Sequence, residues 1–338
     1  MALVLFSPLV GSVAIPPVTV ARIVAHQLTG GLFPANPCAP QPINSSACQA
    51  LIEIVWDARL PAMVLAILVG AALAFAGGTL QGVFRNPLAD PFLLGISAGA
   101  TVGAALIFLL AIGTANANLL VPLFAFIGAL ATAGVILLAA QSRRATTETL
   151  LLTGVAMNSV LSATLLVLLI YNPLGNLQVT YWLLGGLYGA TWGRDGIVFA
   201  GLAVGAVFLL LDARRLNVIQ LGPEVAQSLG TDPRRSRDRL VLLASFVTAF
   251  AVAFAGIIGF VGLIAPHVAR RLVGFDYRRV LPVAAAVGAA FLLLAHDLSQ
   301  LVIPSTELPV GIFTAFVGTP FFIYLLYRRR PTSAEGTG

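Results

Sequence analysis

The 338-residue chain contains no lysine; all 19 of its basic residues are arginine. A P-loop needs its phosphate-binding lysine and a Schiff base needs a side-chain amine, so ATP hydrolysis and imine chemistry are excluded from this polypeptide. Charge of either sign is scarce. Charged residues make up 9% of the chain against 59% hydrophobic residues, and a water-soluble domain of this length could not cover its surface with so few. Histidine and cysteine number three and two, and no histidine lies close enough in sequence to the cysteines to complete a zinc site. What is present in quantity is long apolar runs, and the chain reads as a polytopic membrane protein. The formal net charge of +6 could point to nucleic acid, but the arginines collect at the ends of apolar runs, where membrane topology accounts for them. No cofactor and no nucleic-acid partner is expected.

Runs of about 20 apolar residues place ten spans near residues 2–13, 60–83, 92–112, 119–140, 149–170, 196–212, 240–256, 257–269, 280–302 and 308–327. The expected architecture is all-α, with ten transmembrane helices in a single polytopic domain, 1–338. Ten crossings put both termini on one side. Assigning that side to the cytoplasm places sixteen arginines inside, among them Arg85, Arg143, Arg144, Arg214, Arg215, Arg270 and Arg271, and leaves Arg22, Arg59 and Arg194 outside. The opposite orientation would invert this positive-inside bias. Residues 257–269 are too short for a full crossing and are expected as a half-helix buried among neighbours, since irregular backbone is not tolerated against lipid. The first span is short too. Its first reading is a misplaced start codon or a trimmed N-terminus, and its second a removed signal peptide, although Met1 to Ala14 has no basic n-region.

An exofacial stretch, 14–59, separates the first two spans. It has an amphipathic helix, Val18 to Leu28, and a Pro/Asn/Ser-rich loop holding Cys38 and Cys48. Outside the cell the two thiols would meet an oxidising environment, where a short closed loop is compatible with a disulfide that stiffens it. Free or metal-binding thiols are the alternatives. Farther along, Ala74-Phe75-Ala76-Gly77 near the end of the second span recurs as Ala253-Phe254-Ala255-Gly256 at the end of the seventh, in spans of opposite direction, as an inverted repeat requires.

The most specific string is Gly77-Gly78-Thr79-Leu80-Gln81-Gly82-Val83-Phe84-Arg85-Asn86-Pro87-Leu88-Ala89-Asp90-Pro91, a glycine-rich span running into a turn stiffened by two prolines. Further blocks follow in order: Leu152 to Asn158, Tyr181 to Leu187, Leu216-Asn217 through Leu221 to Gly230, Gly259 to His267, and Thr306 to Gly311. Together they resemble the FecCD-type permeases that import iron-siderophores, haem and vitamin B12, the membrane subunits of type II ABC importers. The resemblance implies an inverted repeat relating spans two to five to spans seven to ten. It also implies a homodimer in the plasma membrane, two separate ATPase subunits beneath it and an extracytoplasmic substrate-binding protein above.

Residues 213–239 lie between spans six and seven on the expected cytoplasmic side. A short helix opening at Gly222-Pro223-Glu224 has proline in its first turn and an acid near its positive end, and Gly230 stops it. By resemblance this is the coupling element, and Leu221, Gly222, Pro223, Glu224, Ala226, Ser228, Leu229 and Gly230 seat in the ATPase. A solvated loop helix is the plainer reading. On the outer side, the family pairs two arginines flanking a Leu-Pro, and a third before span ten, with glutamates of the binding protein. Arg59-Leu60-Pro61 keeps the first, while Ala62 and Gln300 stand at the other two places, and Glu53 and Asp57 lie nearby. The fifth span offers Met157, Asn158, Ser159, Ser162 and Thr164 to a translocation path or to close helix packing. Tyr171, Tyr181, Trp182, Tyr188 and Trp192 read as an interfacial belt.

The cargo implied is a metal chelate, ferric siderophore or haem before cobalamin, and an oxyanion such as molybdate is a further option. A contrasting reading is a secondary transporter driven by an ion gradient. It would need ionisable groups near mid-membrane, and the chain offers chiefly Asp297 with His296, toward the outer end of span nine. No catalytic residue is expected.

Overall fold

A computed structural model describes residues 4, 6–11, 13–34, 36–39, 45–110, 117–139, 147–171, 176–187, 189–302 and 308–328. Every regular element among them is helical: α1 (Pro17–Leu28), α2 (Ser45–Ile52), α3 (Leu60–Val83), α4 (Ile96–Leu110), α5 (Ala117–Ala139), α6 (Thr147–Tyr171), α7 (Asn176–Leu183), α8 (Trp192–Leu211), α9 (Ala213–Gln220), α10 (Pro223–Ser228), α11 (Pro233–Ala255), α12 (Val261–Val273), α13 (Tyr277–Val302) and α14 (Val310–Arg328). A π-helical segment, Glu53–Arg59, joins α2 to α3, so that Ser46–Val83 forms one rod of 38 residues. Six helices are long and apolar enough to cross a bilayer, and Ile96–Leu110 and Val310–Tyr324 are shorter apolar helices.

The column of the fold is α3. It packs against α8, α9, α11, α12 and α13, and its residues from Val69 to Val83 are buried apart from Ala71. Such burial is reached through glycine. A Cβ on Gly70 would stand 2.3 Å from the Gly288 carbonyl oxygen of α13, and one on Gly77 would stand 2.1 Å from the Gly262 carbonyl oxygen of α12. Lipid tails are as apolar as leucine, so helices in a bilayer associate through such backbone approach rather than through hydrophobic contrast.

Three expected spans differ from the structure. Among residues 7–16 the described backbone holds a single 3-10 turn, Ser7–Leu9, and no spanning helix. Pro8, Gly11 at φ 153° and Pro16 interrupt any helix there. The third span starts with a 3-10 turn, Pro91–Leu94, capped by the Asp90 side chain, and α4 begins only after Gly95, whose φ is 66°. The expected half-helix 257–269 is shifted to Val261–Val273. Residues 256–260 ahead of it are irregular, opening at Gly256 (φ 68°) and closing at Phe260 (φ 69°). α4 and α12 are thus both entered through a left-handed residue, Gly95 and Phe260.

Gly77→Val is expected to force α3 off α12, because the atom it meets is backbone and cannot rotate away. Overpacking of this kind costs about 1–3 kcal/mol or more, and a lowered midpoint of thermal unfolding in detergent would register it.

Candidate functional site

The arginine-rich end of the bundle is built around α9. Its first turn is pinned by Asp212, which is 3% exposed and pairs with Arg215 at 2.9 Å and with Arg239 of α11 at 2.7 Å. Leu216 is buried in a notch that Gly82 leaves open in α3. Asn217 donates from Nδ2 to Asp276 Oδ1 at 2.7 Å and accepts at Oδ1 from the Tyr277 N–H at 2.9 Å, clamping the loop between α12 and α13. Gln220 ends the helix by donating from Nε2 to the Gly82 carbonyl (3.1 Å) and to Tyr277 Oη (3.0 Å).

From this seat α10 projects. Gly222 turns the chain at φ 106°, which favours glycine, and Pro223 supplies the first helical turn. Of residues 223–230 only Ala226 is buried. Leu221 before the turn, Val225 within α10 and Leu229 at its end are 61%, 43% and 59% exposed. Beside it, the turn after α3 is ordered by its own side chains: Asn86 Oδ1 accepts from the Leu88 N–H and Asp90 Oδ1 from the Phe92 N–H. Burial pushes the Asp90 carboxyl up to about 6, while the Phe92 N–H it accepts from holds it down. Arg85 lies at φ 50°, and its guanidinium passes within 3.9 Å of where a Gly222 Cβ would stand. All the expected coupling residues therefore gather on one projection, and Glu224 and Ser228 are exposed on it.

At the opposite end, Cys38 and Cys48 form a disulfide, and the loop it closes is held further by Arg22 to the Ala39 carbonyl (3.0 Å) and by His26 Nδ1 against the Pro34 carbonyl (2.8 Å). A cleft of about 410 Å³ brings Arg59, Ala62 and Gln300 together with Gly11, Val13 and Asp57. Arg59, expected to meet a partner, is only 8% exposed. Its guanidinium donates to the Pro8 carbonyl at 3.2 Å and to the Val13 carbonyl, and it fills the space where a Gly11 side chain would be. In this arrangement the Arg59 guanidinium ties the Pro8 and Val13 carbonyls to the start of α3.

α6 spends almost none of its surface on its own subunit: 6% of its most apolar stretch is buried. Gly154 marks its main contact, against the Leu93 carbonyl. At about 100° per residue, Asn158 and Ser162 share a face with Ser159 beside them, whereas Met157 and Thr164 point elsewhere, Met157 half-buried against the core. Ser159 and Thr164 return their hydroxyls to the Val155 and Val160 carbonyls. Next to the irregular residues 256–260, an apolar cleft of about 700 Å³ is lined by Leu184, Ile257, Gly311, Ala315 and Phe316.

The groups that ion coupling would use are tied up locally. Asp297 accepts from Ser7 Oγ at 2.6 Å, and His296 Nε2 meets Gln300 Nε2 at 3.0 Å. Among the described residues no group of three or more histidine, cysteine, aspartate or glutamate side chains could hold a metal. Thr306, Glu307, Tyr188, Arg143 and Arg144 lie outside the described residues. Gln81, Asp212, Gln220, Arg270 and Tyr277 were not singled out by sequence, since each is a lone polar residue at a span end; only Pro266, inside a helical run, hinted that a carbonyl of α12 needs an outside donor.

With this geometry in place, comparison with known proteins is direct. The profile of the FecCD transport family matches residues 1–328. The cobalamin import system permease protein BtuC of Halobacterium salinarum is 43% identical over 309 residues, covering 89% of this chain and 81% of that one. The hemin transport system permease protein HmuU of Yersinia pestis is 39% identical over 296 residues, covering 85% and 87%. Among solved structures, an inward-facing metal-chelate type ABC transporter superposes with a TM-score of 0.77 at 27% identity, covering 92% of this chain and 97% of that one.

Arg59→Ala is expected to leave the Pro8 and Val13 carbonyls without their charged donor, a loss of roughly 2 kcal/mol. Limited proteolysis checks this: residues 8–13 should be cut faster in the variant, with the helical bundle left intact.

Proposed function

The chain belongs to the FecCD transport family, and on that premise we propose that it is the transmembrane permease subunit of an ATP-driven importer that carries a metal chelate into the cytoplasm. Ferric siderophore or haem is preferred as cargo, and cobalamin stands next. The subunit is polytopic, with spans two to five repeated in inverted orientation by spans seven to ten and with its arginine-rich end facing the cytoplasm. It works as a homodimer in the plasma membrane, with two ATPase subunits on the arginine-rich face and a binding protein on the face formed by residues 14–59.

One observation carries the reading. A six-residue helix, α10, projects from the bundle at the end where arginine gathers, with Val225 on it and Leu221 and Leu229 flanking it all exposed to solvent. Apolar side chains on a protruding, rigidly based helix suit insertion into a groove on a partner. Residues 213–239 are accordingly the coupling segment. The absence of lysine supports a hydrolytic site on another polypeptide. The largely exposed α6 supports a second copy of this chain against it, with Asn158, Ser159 and Ser162 facing the shared path and Met157 and Thr164 on the opposite side of the helix, away from it. An ion-gradient mechanism has less support, because His296 and Asp297 are engaged near one end of α13 and form no chain across the bundle. An oxyanion cargo finds no support in the names of the relatives described above.

Purification of the tagged chain from native membranes in mild detergent, with mass spectrometry and a visible absorption spectrum, should recover an ATPase subunit and identify the chelate through the binding protein. Val225→Asp with Leu229→Asp should remove about 1.5–3 kcal/mol of burial per site, lowering recovery of the ATPase more than about tenfold. Glu224→Arg should abolish uptake while ATP hydrolysis continues and membrane insertion is normal. Undiminished uptake by Glu224→Arg would refute the coupling assignment.

A further inference from the structure

Pro266 sits inside α12 and carries no N–H, so the carbonyl of Gly262, four residues before it, loses its ordinary helical partner. That carbonyl is buried where α12 touches α3, out of reach of water. A buried, unpaired carbonyl is costly. The missing donor comes from another helix: Gln81 of α3, 2% exposed, donates from Nε2 to the Gly262 carbonyl at 3.1 Å and to the Leu263 carbonyl at 3.3 Å. Its amide is oriented from the other side by Arg270, whose Nη2 donates to Gln81 Oε1 at 2.5 Å.

The connection continues. Arg270 also stands against the Tyr277 hydroxyl at the start of α13, and that hydroxyl accepts from Gln220, the last residue of α9 and the immediate neighbour of the projecting α10. Gln220 closes the circuit by donating to the Gly82 carbonyl, one residue beyond Gln81. Side chains of four helices thus form two hydrogen-bonded pairs, Gln81 with Arg270 and Gln220 with Tyr277, joined where Arg270 faces the Tyr277 hydroxyl and where Gln220 holds the Gly82 carbonyl next to Gln81, and together they reach from the base of the coupling segment to the first turn of the half-helix. Sheltered polar networks of this kind hold their members in one arrangement when fully satisfied.

We propose that Gln81, with Arg270, Tyr277 and Gln220, is a positioning relay that locks the coupling segment to the half-helix α12, so that the two move as one body when the ATPase subunits close. The proposal rests on the coupling role assigned to residues 213–239. Without the relay, α10 would still dock but would swing on α9, and the displacement would not reach residues 256–260 and the apolar cleft beside them. Gln81 is a positioning residue: it touches no cargo and acts through the half-helix carbonyls.

The test uses spin labels at Ser228→Cys on the coupling segment and Leu272→Cys on α12, both exposed positions, with Cys38 and Cys48 retained in their disulfide. The full chain is assembled with its ATPase subunits in lipid nanodiscs, and the label separation is measured without nucleotide and after trapping with ATP and vanadate. Both labels are carried by one copy of the chain, paired in each complex with an unlabelled second copy, and with the native relay one narrow distance is expected, the same in both states. The key variant combines Gln81→Leu with Pro266→Ala: alanine returns an N–H to position 266, so the Gly262 carbonyl is satisfied within its own helix while the relay stays cut. This variant should fold and show a distribution about twofold broader, or one that shifts with nucleotide. Gln220→Ala, which severs the far end and leaves the Gly262 carbonyl untouched, should do the same. A separation that already shifts with nucleotide in the native relay overturns the proposal, as do variant distributions matching the native one. ATP hydrolysis by the same samples reports separately on the importer reading: its absence from the native complex would count against that reading, whereas active complexes whose relay variants keep the native distance distribution would count against the relay alone.

Discussion

The controlling constraint on this molecule is that every peptide group within its apolar bundle must find a partner without water. Regular helices meet it by themselves. The proline-bearing α12 does not, and α3 passes close enough to serve it: Gly77 lets its backbone reach Gly262, and one turn later Gln81 supplies the donor that Pro266 lacks. Remove either and the interrupted helix has no place in a bilayer. The central position of α3, its burial and its glycines follow from that service.

The two ends of the bundle use arginine differently. Arg22, Arg59 and Arg194, at the arginine-poor end, each donate to backbone carbonyls of irregular segments, Ala39, Pro8 with Val13, and Gly189. They fasten loops. At the other end Arg215 and Arg239 converge on Asp212, and Arg235 and Arg237 pair with Asp232 and Asp238, bracing α9 and α11 about the projecting α10. Orientation-setting charge and structural charge are therefore separable: the first is a matter of number, the second of geometry.

Much of this was legible in the sequence. The α10 motif declared itself through Gly222-Pro223-Glu224 and Gly230, because cap chemistry is local, and the long apolar runs marked α5, α6, α8 and α13 to within about four residues, whereas α11 starts at Pro233, ahead of its apolar run, because its first turns carry arginines. Residues 2–13 were misjudged because hydropathy counts methyl groups and ignores that Pro8 and Gly11 break a helix. The half-helix was foreseen but placed four residues early, since its start depends on left-handed turns at Gly256 and Phe260 that no periodicity announces. Arg59 was recognised and its environment was not: burial beneath Pro8 and Val13 is a tertiary fact. Gln81 stood in the most conspicuous string of the chain, and its partner lies more than 180 residues away.

The bareness of α6 has an evolutionary consequence. A helix whose side chains support little of its own subunit can exchange Asn158, Ser159 or Ser162 for other residues while the fold around α3 stays intact, so selection can vary this face without reopening the question of stability. The opposite holds at Gln81 and Gly77, where each side chain serves another helix. Diversification within such a lineage should therefore run along α6 and leave the neighbourhood of α12 almost still.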